Sequence, residues 1–199
     1  MMKSATRVSL MLAVWAVPAT SQADVTTFRV RDDGKSRVTF VSDAPLETMT
    51  GKSSKVTGSV TVDPADITNA KGSFKVPVVS LRTDNDLRDE HLQGDGWLDA
   101  KKNPKIQFEI TEVILGKKDS RELKKNKATK VQIRGKFTAH GVTKPVTANG
   151  TVKWSDDSLR IQAKFIATLE DHHISVPSIV RLKVANEIAV SVDLRAAAH

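Results

Sequence analysis

The amino-acid sequence predicts an all-β protein, an antiparallel β-barrel of about eight strands. Three observations support this fold class: apolar and polar residues alternate along most of the chain, turn-forming residues separate the alternating segments, and small residues interrupt the apolar face. Alternation with a period of two is typical of antiparallel strands that contact water on one side only. The turn signals include Asp32-Asp33-Gly34, Asp63-Pro64 and Asp156-Asp157.

The apolar face of the alternating segments is predicted to form the interior. A packed β-sandwich would satisfy the same alternation. Small residues on this face favour a barrel, because a barrel either coils at such positions or encloses a ligand there. These small residues are Gly58, Gly135, Gly150, Ala148, Ala163 and Ala167. The rest of the face consists of Val38, Phe40, Val56, Val60, Val62, Phe74, Val76, Val78, Ile106, Phe108, Ile110, Val131, Ile133, Phe137, Val146, Val152, Trp154, Leu159, Ile161, Phe165, Ile188, Val190, Val192 and Leu194.

Residues 1–23 are predicted to be a cleavable signal peptide that exports the protein. Lys3 and Arg7 give a positive start, residues 8–17 give an apolar stretch, and Ser21-Gln22-Ala23 offers small residues for cleavage after Ala23. A membrane anchor is disfavoured, because Pro18 ends the apolar stretch well short of the ~20 residues that a spanning helix needs. Residues 24–199 are then one domain, which we expect in a bacterial periplasm.

The formal net charge of +8 is concentrated in one segment. Residues 116–130 hold seven Lys or Arg residues against Asp119 and Glu122, a local net charge of 7 − 2 = +5. We expect a solvated loop, and peripheral contact with an anionic membrane surface is the alternative. Nucleic acid is not expected as a partner, since no aromatic residue is interleaved with these cations to stack on bases.

Two segments depart from the strand pattern. Residues 84–93 predict a short helix that is capped by Thr83 or Asp84, carries Leu87 and His91 on one stripe, and is ended by Gly94 in the left-handed conformation. Within this helix Arg88 is expected to pair with Asp84, or else to bind a polar headgroup together with His91. Residues 170–183 predict an irregular connection, because Pro177 opposes regular strand pairing.

Histidines are the remaining candidates for chemistry, because the sequence contains no cysteine and therefore no thiol nucleophile or metal–thiolate site. His140 lies in a predicted turn, where Gly141 supplies the positive φ and the imidazole bonds to backbone. Asp171-His172-His173 combines two ligand types that suit zinc or copper. Adjacent side chains of an extended segment point to opposite sides, however, so one metal would need a ligand from elsewhere.

Several ordered motifs along the chain together resemble the YceI-like family. They are the glycine-bearing strand pair 51–62, Ser80-Leu81-Arg82-Thr83, Leu87-Arg88-Asp89-Glu90-His91-Leu92, Trp97-Leu98-Asp99, residues 103–108 (NPKIQF) and residues 135–146 (GKFTAHGVTKPV). The resemblance implies a periplasmic, lipocalin-like barrel that binds a polyisoprenoid lipid in an apolar tunnel. It implies neither an enzyme nor a cofactor other than the bound lipid.

The residues expected to line that tunnel come from the alternating face, and Arg88 and His91 are the candidates for the headgroup. The expected ligand is a long isoprenoid of the quinone or prenyl phosphate type. The sequence leaves open a structural or stress-related barrel that holds a partner or glycan without lipid, a hydrolase that depends on His140, Asp171, His172 and His173, and the oligomeric state. The lining residues are Val60, Val76, Phe108, Ile110, Ile133, Phe137, Ala148, Val152, Ala163, Phe165, Ile188 and Val190.

Overall fold

A computed structural model describes residues 25–199, so the predicted signal peptide lies outside the described residues. The described chain contains ten strands and one α-helix. They are β1 (Thr26–Val30), β2 (Arg37–Asp43), β3 (Thr48–Ser53), β4 (Thr57–Val62), β5 (Lys71–Pro77), α1 (Asp86–Gln93), β6 (Lys105–Ile114), β7 (Ala128–Ala139), β8 (Val142–Ser155), β9 (Ser158–Thr168) and β10 (Glu187–Ala198).

The strands form one antiparallel sheet that closes on itself. Its order is β1-β4-β5-β6-β7-β8-β9-β10, and pairing of β1 with β10 completes the ring. β2 and β3 continue this sheet, because β10 pairs with β1 through residues 196–198 and with β2 through residues 188–193. β1 and β2 are therefore two parts of one interrupted barrel strand, and β3 and β4 are two parts of the next. The predicted eight-stranded antiparallel barrel is confirmed.

Ser36 holds the first interruption together. It is fully buried between β1 and β2, and its Oγ accepts a hydrogen bond from Arg195 N at 3.0 Å and donates to Arg195 O at 3.3 Å. The serine hydroxyl thus bonds the amide and the carbonyl group of Arg195, at the point where the strand paired with β10 changes from β1 to β2. This arrangement leaves those two groups of β10 satisfied although the strand pairing is broken.

The two ends of the barrel differ. The end formed by residues 44–47, 78–104, 140–141 and 169–186 carries α1 and is called the helix end. The opposite end is formed by residues 63–70, 115–127 and 156–157 and is called the basic end, because it contains most of the basic segment. Lys130, the last cation of that segment, already lies in β7. No helix within residues 25–199 is long and apolar enough to cross a membrane.

The predicted helix forms, but its details differ from expectation. Its N-cap is Asn85, whose Oδ1 accepts a hydrogen bond from Arg88 N at 3.0 Å, whereas Asp84 lies outside with a φ of 59°. Gly94 ends the helix with a φ of −71°, so the expected left-handed conformation is wrong. Leu87 and His91 are exposed, and the buried position of α1 is Asp89.

The predicted irregular connection between β9 and β10 contains two short 3₁₀ turns, Glu170–His172 and Ser178–Val180. The tight turn between β7 and β8 has positive φ at both His140 (50°) and Gly141 (74°). Two positive φ values are the geometry of a type I′ hairpin, which matches the right-handed twist of the flanking strands. Glycine therefore supplies only one of the two positive φ angles in this turn.

Candidate ligand cavity

The interior of the barrel contains a cavity of about 80 Å³ with an almost completely apolar wall. Gln107 is its one polar lining residue among those described. Nine of the predicted lining residues are found there: Val76, Phe108, Ile110, Ile133, Phe137, Ala148, Ala163, Phe165 and Val190. The lining also includes Val38, Val56, Phe74, Ile106, Ile161, Val192 and Leu194, all of which belong to the predicted apolar face.

Three residues predicted to line the tunnel do not line this cavity. Val60 and Val152 are buried in the core towards the basic end, where β4 and β8 finish. Ile188 packs against the core near the helix end, where β10 begins. Alternation therefore identified the inward face, but it carried no information about height along the barrel axis, which decides whether an inward residue reaches the cavity.

Leu123 closes the basic end. Its side chain is 2% exposed although it stands among charged residues, and Ile67 beside it is equally buried. Leu123 N donates to Pro64 O at 2.8 Å, and Ile67 N donates to Arg121 O at 3.0 Å, so the two loops of this end are bonded to each other. The expected solvated loop is thus anchored by one apolar residue, and ion pairs from Arg121 to Asp66 and from Lys125 to Asp156 hold its surface.

Aromatic rings fill the half of the interior nearer the helix end. Phe137 and Phe165 meet edge to face with centroids 5.1 Å apart, and Phe108 and Phe165 are tilted at 5.8 Å. Phe137 also meets the His172 imidazole edge to face at 5.2 Å. Such aromatic pairs stabilise the fold by more than the apolar area that they bury. The rings of Phe108, Phe165, Phe137 and His172 contact one another in this order, from the cavity to the helix end.

Segment 78–104 lies at the helix end, and a polar network fixes α1 within it. The Asp89 carboxylate, 6% exposed by residue, accepts hydrogen bonds from Thr83 N and Thr83 Oγ1, both at 2.7 Å. Arg88 donates to Glu47 Oε1 at 2.7 Å and to Thr83 Oγ1 at 3.1 Å. This network ties α1 to the turn between β2 and β3. The expected pair of Arg88 with Asp84 is wrong, because Asp84 pairs with Lys52 of β3 at 3.0 Å.

The two headgroup candidates lie at the helix end without lining the cavity. Arg88 is occupied by Glu47 and Thr83, while His91 is exposed on α1. Thr83 was expected only as a possible helix cap, and no role was expected for Asp89 or Glu47. Thr83 and Asp89 fall inside recognisable motifs, whereas Glu47 is far away in the chain and has no local signal.

The small residues of the inward face divide by role. Ala148 and Ala163 line the cavity, whereas Ala167 is buried elsewhere in the core. A Cβ on Gly150 would lie 2.0 Å from Gln162 O, and one on Gly135 would lie 2.4 Å from the Phe108 ring. These glycines permit close approach of neighbouring strands and rings. Ala148 and Ala163, and not the glycines, leave space in the cavity.

The histidines bond to backbone carbonyls near the helix end. His140 Nδ1 lies 3.1 Å from His172 O, and His172 Nδ1 lies 3.0 Å from Val142 O. Burial lowers the pKa of the His172 imidazole below its ordinary value, and hydrogen bonds to backbone carbonyls only partly oppose this shift. His173 is exposed with a φ of 59°. Within residues 25–199, no group of three or more His, Asp or Glu side chains is arranged to hold a metal ion.

A closed antiparallel barrel with an apolar interior and a helix over one end is a lipocalin-like barrel. The chain belongs to the YceI-like family, whose domain model matches residues 30–196. A UPF0312 protein of Vibrio cholerae is 30% identical over 99 residues, which are 50% of this chain and 47% of that protein. The chain thus spans about half the length of the curated relatives it matches.

Two solved structures share the fold. Burkholderia cenocepacia BcnA matches with a TM-score of 0.70 and 21% identity, over 83% of this chain and 98% of that one. A domain from Saccharophagus degradans, described as a polyisoprenoid binding domain implicated in plant cell wall breakdown, matches with a TM-score of 0.67 and 14% identity, over 88% and 99% of the two chains. At these identities the likeness concerns the fold.

Proposed function

We propose that this protein is a periplasmic carrier that holds the tail of a long-chain polyisoprenoid lipid inside its barrel. The observation that supports this most is the interior cavity, whose wall is apolar apart from Gln107 and whose basic end is closed by Leu123. Moving a methylene from water to such a wall is favourable by about 0.8 kcal/mol. A long hydrocarbon tail is therefore retained by its length and shape, without polar recognition and without a catalytic step.

The cavity must widen when a lipid enters. Its volume of about 80 Å³ is roughly half that of an engineered ~150 Å³ cavity that accepts benzene. The linked rings of Phe108, Phe137 and Phe165 occupy the side towards the helix end, and rotation of aromatic side chains about χ1 would transfer their volume away from the axis.

The headgroup is proposed to remain at the helix end, where Arg88 and His91 lie. A prenyl phosphate would compete with Glu47 for the Arg88 guanidinium, since phosphate and carboxylate take the same charge-assisted hydrogen bonds. A quinone offers no such anion. Replacement of Arg88 by Gln should therefore reduce retention of a prenyl phosphate and leave retention of a quinone unchanged.

The experiment that tests the carrier function is analysis of the protein isolated from its own cells. Native mass spectrometry should show a second species heavier than the polypeptide by one lipid, and organic extraction should release an isoprenoid of that mass. A single species at the polypeptide mass, together with no uptake of added quinone or prenyl phosphate, would contradict the proposal.

The small volume of the cavity supports one alternative, a structural barrel whose interior is simply a packed core. Such a protein would act through its outer surface on a partner or a glycan. Aromatic side chains that keep one conformation, seen as slow ring flipping by NMR in the presence and absence of added isoprenoid, would favour this alternative. Changed chemical shifts of Phe108, Phe137 and Phe165 on addition of isoprenoid would favour the carrier.

A further inference from the structure

Besides Val79, which is 55% exposed, four large aliphatic side chains are exposed at the helix end. Ile179 is 90% exposed, Leu46 is 68% exposed, Leu87 is 62% exposed and Leu182 is 57% exposed. They come from the turn between β2 and β3, from α1 and from the connection between β9 and β10. We call these four residues the aliphatic rim. Single exposed aliphatic residues are ordinary on protein surfaces, but several on adjoining segments of one end mark a surface for contact.

Hydrogen bonds join the three segments of the aliphatic rim. Leu46 N donates to Leu182 O at 2.8 Å, which fixes the connection between β9 and β10 against the turn between β2 and β3. Arg88 donates to Glu47 at 2.7 Å, which fixes α1 against the same turn. The exposed side chains are thus presented by a connected frame and not by independent loops.

The segment that carries Ile179 and Leu182 is positively charged, whereas the helix end as a whole carries nine Asp or Glu residues against six Lys or Arg residues. Between Asp171 and Glu187 the sequence contains Arg181 and Lys183 and no acidic residue. Neither cation forms an ion pair with any residue of the described range 25–199. Arg181 and Lys183 flank Leu182 directly, so exposed aliphatic and cationic groups alternate along this segment. Exposed aliphatic and cationic side chains together are suited to bind a lipid bilayer, which has an apolar interior and can carry anionic headgroups.

We propose that the aliphatic rim, with Arg181 and Lys183, docks the protein on a phospholipid bilayer that carries anionic headgroups. This inference rests on the proposed carrier function and specifies where the lipid passes between membrane and barrel. Ile179 and Leu182 enter the interfacial region, and the two cations contact phosphate groups. The basic end cannot serve as the entrance, because Leu123 and Ile67 close it.

A second copy of this chain fits the surface less well. A two-fold symmetric contact centred on Ile179 would bring the same patch of both copies together. Arg181 and Lys183 of one copy would then face the identical cations of its partner, and like charges in contact oppose association. A bilayer of anionic lipid supplies both the charge opposite to Arg181 and Lys183 and the apolar layer that Ile179 and Leu182 would enter.

The test is co-sedimentation of the purified protein with vesicles of phosphatidylcholine alone and of equal parts phosphatidylcholine and phosphatidylglycerol. The double variant Ile179→Ser/Leu182→Ser should bind the anionic vesicles about tenfold more weakly than the unchanged protein. The matched control is Ile166→Ser, because Ile166 is 53% exposed on the outer wall of β9 and belongs to none of the three segments that carry the rim. The control should bind as the unchanged protein does. All three proteins should melt at similar temperatures, since the substituted side chains are exposed.

Several results would overturn the docking proposal. These are absence of binding to anionic vesicles, equal binding of the double variant and the unchanged protein, and an equal loss in the Ile166→Ser control. Loss of binding in a Lys117→Glu/Lys118→Glu/Lys124→Glu variant but not in the double variant would assign membrane contact to the basic end instead. A dimer in solution that dissociates in the double variant would assign the rim to a second copy.

Organic extraction separates this proposal from the carrier function on which it rests. Vesicle binding through the rim by a protein that yields no isoprenoid would refute the carrier function and leave the docking surface standing. If isoprenoid is extracted from a protein that does not bind vesicles, the docking surface is refuted and the carrier function is retained.

Discussion

The Phe137 ring and the His172 imidazole meet edge to face at an interplanar angle of 89°, with centroids 5.2 Å apart. One partner belongs to the wall of the cavity and the other to the connection that covers the helix end. His172 is 3% exposed, so its ring is a fixed part of the closure. The protonation state of one buried imidazole is therefore linked to the packing of the barrel at this end.

The stability of the folded protein should decrease as the pH decreases, and His172 should cause part of this decrease. Burial lowers the folded-state pKa of its imidazole, whereas the unfolded chain titrates near the usual value of ~6.5. Below that value the unfolded chain binds the additional proton, so stability present above pH ~6.5 is lost as the pH falls towards the folded-state pKa. Melting temperatures measured between pH 7.5 and pH 5.5 should decline for the unchanged protein and decline less steeply for His172→Gln.

His173→Gln is the control for this measurement, because His173 is exposed and adjacent. It should keep the pH dependence of the unchanged protein. Equal slopes for the unchanged protein and His172→Gln would show that His172 does not set the pH dependence.

Enlarging Ala163 should remove bound lipid without unfolding the barrel. Ala163 lines the cavity, so the isobutyl group of Ala163→Leu would enter existing space and compete with a lipid tail. Retained isoprenoid should fall strongly while the melting temperature stays within a few degrees. Extraction and thermal melting of the same preparation measure both quantities.

Ala167→Leu is the matched control on the same strand and the same face. Ala167 is buried but does not line the cavity, so the added atoms overpack the core and should destabilise by about 1–3 kcal/mol. The cavity assignment is wrong if Ala163→Leu destabilises as much as Ala167→Leu.

Removing the Asp89 carboxylate should loosen α1. In Asp89→Ala the Thr83 amide and hydroxyl lose their acceptor, and a buried donor left unsatisfied costs about 1–3 kcal/mol. The melting temperature should decrease, and trypsin should cleave after Arg82 more rapidly than in the unchanged protein. Glu90→Ala, the exposed neighbouring carboxylate, should change neither property. Unchanged proteolysis of Asp89→Ala would show that other contacts hold the helix.

Truncating Leu123 should destabilise the barrel, although this residue lies in the most highly charged loop. Leu123→Ala deletes a side chain that is 2% exposed and should lower the free energy of unfolding by about 2–5 kcal/mol. Leu87→Ala, a leucine of α1 that is 62% exposed, should change it by less than about 0.5 kcal/mol. Urea denaturation of both variants measures the difference, and equal values would mean that Leu123 does not close the basic end.

The strands could be predicted because each of them exposes one face to solvent. Apolar and polar residues therefore alternate along the sequence with the side-chain period of two. Phe137, Ala148 and Ala163 could be placed inside on this basis alone. Long-range partners could not be predicted in the same way. Asp84 pairs with Lys52 of β3 and Arg88 with Glu47, since the short helix is fixed by neighbours across the barrel end and not by its own i, i−4 pairs.

The burial of Leu123 and His172 also could not be predicted from the sequence. Each stands in a polar, irregular segment without periodicity, where charge and turn composition predict exposure. Each is buried because its segment folds back over an end of the barrel. Only the closed arrangement of strands reveals that these ends need covering.

The pairing of Phe28 with Ala198 places the first and the last described strands side by side. Contacts between residues so far apart in the chain are entropically costly to form and slow the folding of β-proteins. The ring cannot close until residues 196–198 are available to β1, whatever hairpins have formed before. Until then both edges of the open sheet expose unpaired backbone groups. A chain of this topology therefore cannot close its barrel before residues 196–198 have been synthesised, so the protection from proteolysis that the closed ring gives is acquired late.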